Sequence, residues 1–117
     1  MSDRELLESA ARAAGIDHWS TNSPDGLVLG VGRDGPMIWN PLTDDGDALR
    51  LAVKLDISVR QQFAVVEADY PWTDEEFNER TTLCEAVLDD YCAATRRAIV
   101  RAAAAIGNRV DVPQTAS

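Results

Sequence analysis

Histidine, cysteine and aromatic residues are scarce in this sequence, and each scarcity removes a class of chemistry. The single histidine, His18, has no marked partners. A general base or a metal centre built on imidazole needs such partners at readable spacings, so His18 is expected in a loop without a chemical role. The two cysteines, Cys84 and Cys92, form no CxxC or zinc-ligand pattern and are expected to be reduced, buried free thiols. No apolar run approaches the roughly 18 residues of a membrane span, and Met1 to Glu5 lack the basic-then-apolar layout of a signal peptide. The expected location is the cytoplasm of a bacterial host cell, with no membrane partner.

Positive charge is also in short supply, with 11 basic against 20 acidic residues and a formal net charge of −9. Arg96, Arg97 and Arg101 lie together near the C-terminus, whereas Arg33, Arg50, Lys54, Arg60 and Arg80 are scattered. A protein so charged repels a phosphate backbone unless its cations share one face. Direct nucleic-acid binding is therefore not expected, and a partner with a basic surface is.

What is present is enough for one core. The chain has 117 residues, 45% of them apolar, and a domain of this size buries roughly two thirds of its unfolded surface. Residues 1–107 are expected to form a single α+β domain and residues 108–117 a flexible C-terminal tail.

Ser2-Asp3 followed by Leu6, Leu7, Ala10, Ala11 and Ala14 at helical spacing predicts a first helix, closed by Gly15. Leu27–Val31 and Pro36–Trp39 flank Arg33-Asp34-Gly35, a hairpin signal because Asp-Gly tolerates positive φ. Trp39 is expected in the core at the strand end. Thr43 is placed to cap a second helix, with Asp44, Asp45 and Asp47 in its first turn and Ala48, Leu51, Ala52 and Leu55 on its buried stripe. Ile57 to Tyr70 is rich in β-formers and predicts one strand with a bulge. Thr73 and Glu76 match a capping box, which marks a short helix start. Residues 80–88 satisfy both periodicities; a strand is expected there because Asp89-Asp90 then opens the last helix, Tyr91 to Ile106, ended by Gly107-Asn108. The expected architecture is a small antiparallel sheet of three to four strands covered by an N-terminal, a middle and a C-terminal helix.

Several apparent motifs dissolve on inspection. Gly30-Val-Gly-Arg-Asp-Gly35 matches the dinucleotide glycine pattern, but Pro36 and a strand follow where a helix N-terminus must hold the pyrophosphate. Asp44, Asp45 and Asp47 have the spacing of hard-cation ligands, yet the closing glutamate of a calcium loop is missing and their place at a helix start accounts for them. The serines present carry no nucleophile elbow. No cofactor, no metal and no catalytic residue is expected.

The densest acidic stretch holds Glu67, Asp69, Asp74, Glu75, Glu76 and Glu79, interleaved with Tyr70, Pro71, Trp72 and Phe77. Carboxylates around aromatics combine electrostatic steering with apolar anchors for a basic partner. The expected partner-binding residues are Glu67, Asp69, Tyr70, Trp72, Asp74, Glu75, Glu76 and Glu79.

Three stretches go beyond composition: Glu5 to Ile16, Trp39 to Leu55 with its Trp-Asn-Pro-Leu-Thr opening, and the Ala-rich Ala93 to Ile106. In these the chain resembles a family of small tailed-phage and prophage accessory proteins of the phage αβα-sandwich type, while Tyr70 to Arg80 departs from the pattern. The resemblance implies a helix-covered sheet and a gene carried by phage of proteobacterial hosts, and it brings no catalytic residues. Phage accessory genes include inhibitors of host defence, such as anti-CRISPR proteins. The expected function is thus a non-enzymatic binding protein that antagonises a host factor, with a nucleic-acid-binding defence complex as its target. The alternative is a structural or assembly accessory acting as an oligomer, for which a homodimer is the simplest form.

Overall fold

The computed structural model describes residues 2–19, 23–71 and 80–111, the last two without their side chains. Eight elements follow in order: α1 (Asp3–Ala14), β1 (Leu27–Gly32), β2 (Gly35–Trp39), α2 (Asp45–Leu55), β3 (Ser58–Gln62), β4 (Val65–Pro71), β5 (Arg80–Ala86) and α3 (Tyr91–Asp111). The fold is α+β, with antiparallel strands and N-terminal, middle and C-terminal helices as expected. The strands fall into two sheets, β1-β2 and β3-β4-β5, one strand more than the sequence indicated.

The extra strand arises because the β-rich run Ile57–Tyr70 turns back on itself at Phe63-Ala64. Ala64 has φ +62°, a conformation in which glycine or asparagine is the usual marker. Here tertiary hydrogen bonds hold it instead. The Tyr91 hydroxyl accepts from the Ala64 N–H (2.9 Å) and donates to the Gln62 carbonyl (3.1 Å), and the Val87 N–H donates to the Ala64 carbonyl (3.0 Å).

Local signals fixed the start of α1. The Ser2 hydroxyl accepts from the Glu5 N–H, and the Glu5 carboxylate accepts from the Ser2 N–H, the reciprocal capping box; these bonds hold the Glu5 carboxyl below its ordinary pKa. Gly15 closes the helix at φ +70°. The cap of α2 is Asp44 rather than Thr43: its carboxylate accepts from the Asp47 N–H (2.8 Å). Asn40 causes the one-residue shift. Its carbonyl accepts from both the Thr43 and Asp44 N–H groups, and its own N–H donates to Asp47, so Thr43 is drawn into the preceding turn.

The last helix runs past Gly107-Asn108 to Asp111, so residues 108–111 belong to the folded domain; the rest of the expected tail lies outside the described residues. Gly107 is buried in mid-helix, and it faces α1 so closely that a Cβ there would land on the Ser9 carbonyl, 2.9 Å from its carbon. Beside it the Ser9 hydroxyl donates to the Asn108 side chain (2.9 Å). The glycine serves helix contact, and its stop signal is overridden.

The core lies where α3 packs against α1 on one side and β4 on the other. Ala10, Ala11, Ala98, Ala102 and Ala103 are fully buried, and such small side chains let the two helix axes approach. Val66, Ala68 and Tyr70 line the inner face of β4, and Trp39 is buried with Leu27, Leu51 and Ala52. Burying one leucine such as Leu6 or Leu7 is worth about 1.5–3 kcal/mol. Among the described residues no helix is long and apolar enough to cross a membrane.

Candidate interaction surface

Strand β4 separates its residues by parity. Val66, Ala68 and Tyr70 point into the core, and Glu67 and Asp69 occupy the outer face of the three-stranded sheet. There each carboxylate already has a partner. Glu67 accepts from Arg60 (2.8 and 3.1 Å) and from Gln62 (3.2 Å). Arg80 pairs with Asp69 (3.2 Å) and with Asp56 (3.0 Å), and also donates to the carbonyls of both residues. The outer face is thus a lattice of ion pairs running across β3, β4 and β5, which ties the strands to the end of α2.

The expected site divides accordingly. Glu67 and Asp69 are on the solvent side, held by cations of the same chain. Tyr70 is not an exposed anchor: only 7% of it is accessible, because the alternation that turns Glu67 and Asp69 outward turns Tyr70 inward. Burial raises its phenol pKa, opposed by the charges of Arg101 and Arg109. Trp72, Asp74, Glu75, Glu76 and Glu79, with the Thr73–Glu76 capping box, lie outside the described residues. Their segment joins two adjacent strands whose ends pair at Pro71 and Arg80.

Five further arginines are engaged in the same way. Arg97 pairs with Asp3 (3.1 Å), Arg96 with Asp45 (2.6 Å), Arg101 with Glu85 (2.7 Å), Arg50 with Asp47 (2.8 Å) and Arg4 with Glu8 (3.3 Å). Carboxylates including Asp17, Asp25, Asp34 and Asp89 are exposed with no ion-pair partner. Among the described residues this part of the negative surplus stands at the surface without a paired cation.

The cysteines depart from expectation: Cys84 and Cys92 are both free and both exposed. Cys84 falls on the outward parity of β5, opposite Glu67, and Cys92 sits in the first turn of α3. His18 lies half-buried in the loop after α1, its Nδ1 buried with no hydrogen-bond partner. Among the described residues no group of three or more metal-capable side chains converges.

A second surface escaped sequence reasoning. Ala48 and Leu49 of α2, Val59 of β3, and Cys92 and Ile99 of α3 line a largely apolar groove of about 220 Å³. Leu49 in its wall is 64% exposed, and the other strongly exposed apolar side chains include Val53 of α2 (73%) and Phe63 of the β3-β4 turn (96%). The alternation of β3 did hint that Val59 shares a face with the core, but only the packing of α2 and α3 creates a groove beside it.

No known protein family, characterised protein or solved structure matches the chain.

Proposed function

We propose that the chain is a phage-encoded, non-enzymatic binding protein that antagonises a host factor with a basic surface, in the manner of an anti-CRISPR protein acting on a nucleic-acid-binding defence complex. The observation that carries this reading is the state of the charges. Among the described residues seven of the ten arginines, Arg4, Arg50, Arg60, Arg80, Arg96, Arg97 and Arg101, are held in intramolecular ion pairs, and the surplus behind the net charge of −9 is left to act outward. An uncompensated field of this sign raises encounter rates with a basic partner and repels nucleic acid. The recognition element of this reading is the segment Trp72–Glu79, which adds four carboxylates and an indole to the sequence between β4 and β5, strands whose own carboxylates are already paired. The resemblance of the three sequence blocks to phage accessory proteins supplies the biological setting.

The test is capture of a host protein by wild type and by the combined Asp74→Lys, Glu75→Lys, Glu76→Lys and Glu79→Lys variant. Each replacement changes the charge by two, taking the net from −9 to −1. Wild type is expected to retain a basic nucleic-acid-binding protein, with retention falling as salt rises; the variant, folded by circular dichroism, is expected to lose it. Equal capture by both would refute the reading.

A further inference from the structure

Among the described residues nothing guards the edge strand β3. Natural sheets protect their edges with charge, proline, bulges or covering segments, because an open row of N–H and C=O groups templates pairing with another chain. The other described edges have such devices. Strand β2 carries Pro36, β1 is covered where the Trp19 N–H donates to the Val28 carbonyl (2.8 Å), and on β5 Arg101 donates to the Cys84 carbonyl (3.1 Å). All five residues of β3, Ser58 to Gln62, are exposed, and its one charge, Arg60, is neutralised by Glu67 on the outer face.

The orientation of its main chain follows from the hairpin. Gln62 and Val65 flank a two-residue turn, so they exchange hydrogen bonds, and by alternation Arg60 and Ser58 also bond to β4. The N–H and C=O groups of Val59 and Gln61 then face away from the sheet, and among the described residues no other main-chain partner takes them.

We propose that a second copy of this chain pairs with β3, antiparallel about a twofold axis at Gln61, making one six-stranded sheet from two three-stranded ones. Charge selects this occupant and this register. Residues 57–66 contain no acidic side chain, so two copies of a strongly acidic protein can meet there without opposing carboxylates. A register centred on Arg60 would set guanidinium against guanidinium. Centring on Gln61 sets Arg60 against Gln62 and lets the Gln61 pair exchange both hydrogen bonds. It also brings Phe63 of each copy opposite Val59 of the other, at the apolar groove of Leu49 and Ile99. That would cover the most exposed aromatic ring of the described chain.

Sedimentation equilibrium over a dilution series tests this in wild type, Gln61→Pro and Phe63→Lys. Gln61→Pro removes an outward N–H that the monomer does not use, and Phe63→Lys alters a side chain without monomer contacts. Wild type is expected at twice the monomer mass, and both variants at the monomer mass with unchanged far-UV circular dichroism. If Gln61→Pro fails to fold, Phe63→Lys decides. A wild type that stays monomeric, or a Phe63→Lys variant that stays dimeric, would overturn the proposal. Neither outcome depends on capture of a host protein.

Discussion

Replacing Gly107 with alanine sets two well-characterised effects against each other. In a helix interior alanine is favoured over glycine by about 1 kcal/mol, so Gly107→Ala would stabilise an isolated α3. In the folded chain the added Cβ falls on the Ser9 carbonyl, 2.9 Å from its carbon. That carbonyl is helix backbone, which cannot rotate aside as a side-chain tip does. Helix α1 must withdraw by about an ångström, loosening Leu6, Leu7, Ala10, Ala11 and Ala14 together. Overpacking of this kind costs about 1–3 kcal/mol and occasionally more, and a gap of 0.5–1 Å forfeits a quarter to a half of each dispersion contact along the interface. The net expectation is a loss of about 2 kcal/mol. With a urea m-value of about 1–3 kcal/mol/M, the unfolding midpoint should fall by about 1 M, followed by circular dichroism. Gly46→Ala in α2 supplies the contrast. The nearest atoms to a Cβ there are the tip of Arg50 and the Asp44 carboxylate, each at 3.2 Å and each the movable end of a side chain, so this variant should gain up to about 1 kcal/mol. If Gly107→Ala proved as stable as wild type, the close approach of α1 and α3 would be wrong.

Arg80→Met should destabilise the domain by about 2 kcal/mol, since charge-assisted hydrogen bonds contribute about 1.5–3 kcal/mol and Arg80 donates to both Asp56 and Asp69; Arg80→Lys, which lacks the planar fork, should recover only part of this in the same urea assay, and a neutral Arg80→Met would refute the lattice. Cys84, exposed on the outward parity of β5, should react with a soluble disulfide reagent in the native protein without denaturant; its protection until unfolding would refute its placement.

The helical signals were legible where local chemistry closed the account. The α1 helix opens after Ser2 and closes at Gly15 as expected, with Glu5 completing a capping box that the expected start at Ser2-Asp3 did not include, and the inward stripe of Leu6, Leu7, Ala10, Ala11 and Ala14 is the buried one. The ambiguous Arg80–Ala86 segment is a strand, as the placement of the last helix implied. Misreadings occurred where a specific hydrogen-bond partner, distant at Ala64 and nearby at Asn40, outweighed a residue's own preference. Ala64 takes a turn conformation for which alanine has no propensity because Tyr91 and Val87 hold it. Asn40 moves the α2 cap from Thr43 to Asp44. In the candidate site the acidic composition expresses only charge, whereas the alternation Val66-Glu67-Ala68-Asp69-Tyr70, also present in the sequence, is what separates Tyr70 from the carboxylates and turns it inward.

The sequence by itself determined composition-level and local properties: an acidic chain with a surplus of carboxylates, helices begun by capping side chains, and apolar periodicities that assign an inner face. These depend on residues within about one turn of one another, where spacing alone decides contact. Tertiary structure alone decided which charges are neutralised, that Gly107 joins two helices rather than ending one, and that β3 is left as an open edge beside an apolar groove. Such features are set by residues far apart in the chain, as with Ser9 and Asn108 or Arg80 and Asp56, and no local spacing encodes a contact that only folding brings about.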